Sequence, residues 1–441
     1  RLTAPLRGIQ RQFERLSGLA KRIGVLGGAV AAISFMAPIQ SAAAFEQKMR
    51  DTIVTAGYFA EAAEQRIRAL SASLEELALK VGLTSNDLGD ALNTLSTSGM
   101  EDGLANRLMP IIGRVAKAAS AASVDVAKVG FALNNTLGIQ ADQMETAYAR
   151  LIVAGKLGRF EFKNMAKVIP ELAASLKGLG VTGMEAVSTL GAALQVAMFG
   201  TDSPDTAANN LKNFLGKVLA PDAIKKFQKM GVDIQGVMTD ALKRGINPVE
   251  AALEKISKVT GTSQKEIDDI FKGAKASGMT DAQAAQEVKG RIQAVLGRTK
   301  LGQLFEDTQV LDFLVPFLLN KQKYLEFKKA IEDSGLDVIA KDFGTQMVGL
   351  QTQLTIFQEI VTQLNRRVGL AFGRNLPWIN SGLMALLGWI KQVDAAFPGV
   401  IDKVLSFGGG ALVLVTALGL LGPVFSVIAA GAGVIATGIG I

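Results

Sequence analysis

The sequence predicts an all-α protein: a region of short packed helices, then a long helix of heptad, coiled-coil type, then apolar glycine-rich helical segments. Three observations predict it. The chain is 49% hydrophobic but only 6% aromatic, with 47 glycines and 11 prolines. That describes alanine- and leucine-rich helix broken by glycine, and no run alternates convincingly enough for a sheet. Several segments open and close on glycine, begin with a capping residue and repeat leucine at helical spacing. Late in the chain, apolar residues recur every 3.5 positions on average, as in a supercoiled helix. The same composition limits chemistry. With neither cysteine nor histidine, no disulfide, Cys/His zinc site, Ser-His-Asp triad or imidazole base can be built. No enzymatic activity, metal or cofactor is expected.

At 441 residues the chain has room for two or three domains, and five segments are distinguished. Residues 1–44 combine a basic amphipathic helix with an apolar segment. Arg1, Arg7, Arg11, Arg15, Lys21 and Arg22 face only Glu14, which suits a solvated helix end or contact with phosphate or anionic lipid. Ile23–Phe45 is uncharged, and Ala42-Ala43-Ala44 mimics a cleavage site. The long basic stretch before it, and the interruption of the apolar run by Gly27-Gly28 and Pro38, favour a buried helix over a secretory signal or membrane-active segment.

Residues 45–203 and 204–300 form the two parts of a helical body, divided at the polar stretch Thr201–Asn210. Gly82 to Gly99 starts with a capping Thr84 or Ser85, then Leu88, Leu92 and Leu95 on one face. Thr182 with Glu185, Ser263 with Glu266, and Thr280 with Gln283 have capping-box spacing. The offsets between these units are unequal, so this is a repeated way of starting helices and not a solenoid. "GLGVTG" (Gly178 to Gly183) matches G-x-G-x-x-G but follows a leucine-faced helix, so helix–turn–helix is the better reading than a dinucleotide fingerprint. Pro170, Pro204, Pro221 and Pro248 each mark a helix start or break. Ile224, Phe227 and Met230 share one face, with Lys225, Lys226 and Lys229 elsewhere. Without interleaved aromatics the lysines read as a wet face, and no sequence-specific nucleic-acid binding is expected.

Residues 301–400 carry the long helix and the only tryptophans, Trp378 and Trp389. Leu336, Ala340, Phe343, Met347, Leu350, Leu354, Phe357, Val361, Leu364 and Val368 alternate in steps of four and three. Such a stripe drives left-handed supercoiling against a partner helix. The partner could be another copy, giving an oligomerisation seam, or a helix of the same chain. Gly344 and Gly349 weaken the helix. Residues 401–441 are apolar and glycine-rich, and Val404 to Ile441 lacks any charge. Leu412, Val413, Leu414, Leu418, Leu420, Leu421, Val424, Phe425, Val427, Ile428, Val434 and Ile435 make it a candidate membrane-active segment. Because the chain opens on Arg1 and stops inside this run, the natural protein is expected to extend beyond both ends.

In their order, "AAAFEQKMRDTIVTAG", "GLTSNDLGDALNTLSTSGM", the stretch from Phe162 through "GTDSPDTAANNLKNFLGKVL", and "FQKMGVDIQGVMTDALKRGINPVEAALEKI" resemble the core of phage tail tape-measure proteins. The tape measures of phage-tail-like contractile particles belong to the same likeness. It covers roughly Phe45 to the end, and residues 45–203 and 204–300 correspond to two parts of that core. The resemblance implies a structural protein held in the lumen of a tail tube, in several copies, that sets tail length. It implies tail tube protein, baseplate or tail-tip hub proteins and tail assembly chaperones as partners. It also implies contact with the host membrane during genome ejection. An α-helix rises 1.5 Å per residue, so residues convert to length; one straight helix of this chain would span about 660 Å. A pore-forming toxin or secretion translocator with a late apolar hairpin near Gly422-Pro423 is the alternative reading.

Overall fold

The computed structural model describes residues 28–260, 264–280 and 304–373, with a few isolated positions besides. All regular structure among these residues is helical, without a strand. Two compact units divide the chain: residues 46–360, and residues 1–45 together with 361–441.

Helix α1 (Gly28–Thr55) runs unbroken through Ala42-Ala43-Ala44, with Ala42, Phe45, Met49 and Ile53 buried at helical spacing. That accords with a packed helix and not with a cleavage site. Helices α2 (Ala60–Val81), α3 (Ser85–Thr97) and α4 (Asp102–Ala118) follow. Thr84 caps α3 by accepting from the Asp87 N–H, and Leu88, Leu92 and Leu95 are fully buried. After α5 (Ser123–Phe131) and α6 (Met144–Lys156) comes α7 (Phe162–Gly178), a helix that runs through Pro170. Pro170 therefore marks neither a start nor a break. Pro204, Pro221 and Pro248 do open helices: α9 (Pro204–Lys217), α10 (Pro221–Lys229) and α12 (Pro248–Thr260). There the missing proline N–H costs nothing, since helix-start donors lack intrahelical partners. The polar stretch Thr201–Asn210 lies within the unit of residues 46–360.

The centre of that unit is α8 (Gly183–Ala197), in which every residue from Ala186 to Ala197 is buried. A helix buried all round must let neighbours close in, and its small residues do so. A Cβ added at Gly191 would sit 2.7 Å from the Ala154 Cβ, so glycine sets the approach of α6 to α8. Around α8 pack α6, α7, α9, α14 (Thr308–Leu319) and α15 (Lys321–Glu332). Phe214 of α9 stacks on Phe313 of α14 at 4.9 Å between ring centres. Helices α11 (Ile234–Lys243) and α13 (Gln264–Ala276) complete the body.

Capping boxes fare unevenly. Thr280 and Gln283 exchange reciprocal bonds of 2.9 and 3.3 Å, as that spacing predicts. Thr182 precedes α8 but its side chain caps nothing. Its expected partner Glu185 accepts instead from Lys328 at 2.5 Å and Asn247 at 3.0 Å. Lys328 also reaches Glu250 at 2.6 Å, and the Tyr324 hydroxyl donates to the same carboxylate at 2.6 Å. This long-range polar cluster joins α15 to α8 and α12, and its demand outweighs the local one. Burial pulls the Lys328 ammonium toward neutrality, but bonds to both carboxylates outweigh it and leave the pKa raised. Burial, then the Glu250 charge, drives the Tyr324 hydroxyl well up. Ser263, the start of the remaining pair, lies outside the described residues.

A second buried polar residue organises the α6–α7 connection. Gln195 donates to the carbonyls of Ala154 (2.7 Å) and Phe160 (2.8 Å) and accepts from the Phe160 N–H (3.1 Å). Replacing Gln195 by Leu strands the N–H and carbonyl of Phe160, each costing about 1–3 kcal/mol when unsatisfied, and leaves the Ala154 carbonyl with the Leu157 N–H alone. Urea unfolding of Gln195→Leu should therefore show a loss of about 3 kcal/mol; a change within error would contradict this role.

Candidate interaction surface

The stripe expected on one long helix falls on two, α16 (Asp337–Met347) and α17 (Leu350–Gly373), separated by Val348 and Gly349. Glycine weakens helix, and side chains from the start of α17 cap the end of α16. The Thr352 hydroxyl donates to the Gln346 carbonyl at 2.8 Å, and the Gln353 amide to that of Met347 at 2.8 Å.

Most of the seam positions face water. Leu336 precedes α16 and is exposed, as is Ala340. Phe343 is half-buried, with the Arg114 guanidinium 6.0 Å from its ring centre, and Met347 is half-buried too. On α17, Leu350 is 86% exposed and Phe357 63%; Leu354, Val361 and Leu364 are exposed as well. The Val368 side chain lies outside the described residues. Sequence reasoning did not include Ile360, which is also exposed and widens the stripe.

The opposite face of α17 is buried, and it is polar: Thr352, Glu359, Gln363 and Arg366. Thr352, Glu359 and Arg366 recur every seventh residue, so they share the side of the helix farthest from the stripe. Polar groups are buried only when hydrogen-bonded, and these have their partners. Lys117 of α4 donates to Thr352 at 2.9 Å, and Ser85 of α3 donates to Glu359 at 2.6 Å. Burial holds the Lys117 ammonium below its ordinary pKa. In the other unit, Arg366 lies over the Phe45 ring at 3.8 Å, a cation–π geometry. The period-seven row is visible in the sequence, but an amphipathic helix is ordinarily read with its polar side outward. Here that reading is inverted.

The residues flanking the stripe along α17 are uncharged as far as Asn365, and Arg367 is the charged one beyond it. Gln351, Gln353, Gln358 and Asn365 occupy the positions where a parallel coiled coil places its interhelical charges. Over Leu350 to Leu364 identical copies can therefore meet without like-charge repulsion. Among the described residues, no group of three or more acidic side chains could hold a metal ion.

No helix among the described residues is long and apolar enough to cross a membrane. The membrane-active candidates Leu412, Val413, Leu414, Leu418, Leu420, Leu421, Val424, Phe425, Val427, Ile428, Val434 and Ile435 lie outside the described residues, as do Trp378 and Trp389.

Comparison with known proteins bears on this helical body directly. Residues 64–289, more than half the chain, match the family described as phage-related minor tail protein. A probable tape measure protein of Burkholderia phage BcepMu (isolate -/United States/Summer/2002) is 30% identical over 398 residues, 89% of this chain and 46% of that protein. The chain thus spans about half the length of the curated relative it matches. No solved structure matches. The matched residues run from α2 past α13, through the buried α8 and its polar clusters, and the chain belongs to the family of phage-related minor tail proteins.

Proposed function

We propose that this chain is part of a tape measure of a phage tail or tail-like particle, held as a small homo-oligomer in the tail lumen. Its helical length would contribute to setting the length of the tube polymerised around it. The observation that carries the reading is the outward apolar stripe on a helix whose polar side is already engaged. The printed name of the BcepMu relative supports the same role. The tube protein, the baseplate or tail-tip hub and tail assembly chaperones are the further partners this role entails. The uncharged run Val404–Ile441 is proposed to meet the host membrane during genome ejection.

A second copy is the occupant we assign to the stripe, because the heptad period is self-complementary and its flanks are neutral from Gln351 to Asn365. Covering a half-exposed leucine or phenylalanine contributes roughly 1–2 kcal/mol, while association costs about 4–15 kcal/mol before any gain appears. One or two contacts therefore cannot hold copies together; the stripe must be engaged along most of its length.

Two outcomes are expected. Leu354→Asp with Val361→Asp should dissociate the oligomer, read as a fall in sedimentation mass to that of one chain; an unchanged mass would remove the seam from the account. Deleting helical heptads from the full gene product should shorten tails by about 1.5 Å per residue removed, measured by electron microscopy. Tails of unaltered length would contradict a role in length determination.

A further inference from the structure

The break between α16 and α17 leaves the stripe's register untouched. Met347 and Leu350 keep the step of three that the alternation requires at that point, although Val348 and Gly349 leave the helix between them. Two helices fixed at a corner have no need of a common phase, because their stripes face different ways. One helix running through has every need of it. We infer that the Val348–Gly349 corner is a hinge, and that α16 and α17 join into one continuous helix when copies of the chain associate. The inference rests on the self-association reading above.

The corner's bonds are of a kind that straightening replaces one for one. Thr352 and Gln353 side chains now satisfy the carbonyls of Gln346 and Met347. In a continuous helix the N–H groups of Leu350 and Gln351, four residues on, would take those same carbonyls. Val348 already has helical dihedrals, φ −83° and ψ −8°, so Gly349 is the residue left to move. A Cβ at Gly349 would stand 3.3 Å from the Gln346 carbonyl oxygen, tight in the bent form.

What α17 releases on leaving the body is polar. The Lys117 ammonium, the Thr352 hydroxyl, the Ser85 hydroxyl and the Glu359 carboxylate exchange protein partners for water, a small net change for hydrogen-bonded groups. What it brings to a second copy is apolar and already exposed. A helix packed with its polar side inward is therefore cheap to detach and profitable to re-pair. The corner is buttoned at one further place: Gly82, in the left-handed conformation at φ 65°, lets Thr352 and Met347 close over it, where a Cβ would stand 2.5 and 3.0 Å from their side chains.

The chain has no cysteine, so Lys341→Cys and Thr355→Cys place two spin labels, one on each side of the corner, without further change. The full chain, diluted with unlabelled copies, is measured by pulsed electron resonance as its concentration rises. The label separation should lengthen toward about 21 Å, the helical rise over that interval, as sedimentation mass increases. Gly349→Ala should tighten association about fivefold, by the helix preference of Ala over Gly. Gly344→Ala, inside α16 with open space around it, should leave the label separation unchanged. Lys117→Met keeps the packed stem but removes the bond to Thr352, and should shift the separation as Gly349→Ala does. Association with the short separation retained would overturn the hinge and leave self-association standing. A chain that stays monomeric at every concentration would overturn both.

Discussion

One helix of this protein has its polar face engaged and its apolar face uncovered among the described residues. The polar side of α17 is engaged by Ser85, Lys117 and, in the other unit, the Phe45 ring. That leaves the apolar side, from Leu350 through Phe357 to Leu364, in water. Turning the helix over would bury the leucines but break the bonds of Ser85 to Glu359 and of Lys117 to Thr352. The Ser85 bond meets, for Glu359, the demand that buried charge imposes. An apolar stripe left out by such an arrangement is a standing driving force for association. The proposed association of copies would follow from how α17 is held.

The body that holds α17 is built around another constraint, the all-round burial of α8. Small residues at Ala186, Ser188, Gly191, Ala192 and Ala193 let neighbouring helices approach from every side. Close approach leaves little room for water, so the few polar groups near this centre must satisfy one another. Gln195 does this for the α6–α7 connection, and the Lys328 cluster does it for α15 against α8 and α12. These contacts fix the helices from which α16 departs, with Ile339 buried beneath it. For a tail component this division suits the proposed role: a packed domain presents one helix with an exposed apolar face.

Much of this could be read from the residues. The all-α class followed from glycine-bounded, capped segments, and Leu88, Leu92 and Leu95 fall in the core as their spacing requires. Local signals held where nothing distant competed, as at Thr84 and at the Thr280–Gln283 pair. They failed where a distant partner made a stronger claim, as with Glu185, which leaves its capping role to meet Lys328. Pro170 shows the same limit, because tertiary packing carries α7 through a residue that weakens isolated helix. Helical periodicity located the apolar stripe of α17, yet it could not say whether that face turns inward. Periodicity measures the difference between faces, and only the surrounding helices decide their direction.

The central claim is that the stripe of α17 meets the same stripe on another copy. Single cysteines introduced into this cysteine-free chain test it most directly. Under mild oxidation of the full chain, Leu354→Cys and Val361→Cys should each form a disulfide between copies, since equivalent positions of a parallel seam face one another. Thr355→Cys, off the seam, should remain reduced. Equal crosslinking at Thr355→Cys, or none at the two seam positions, would contradict the account.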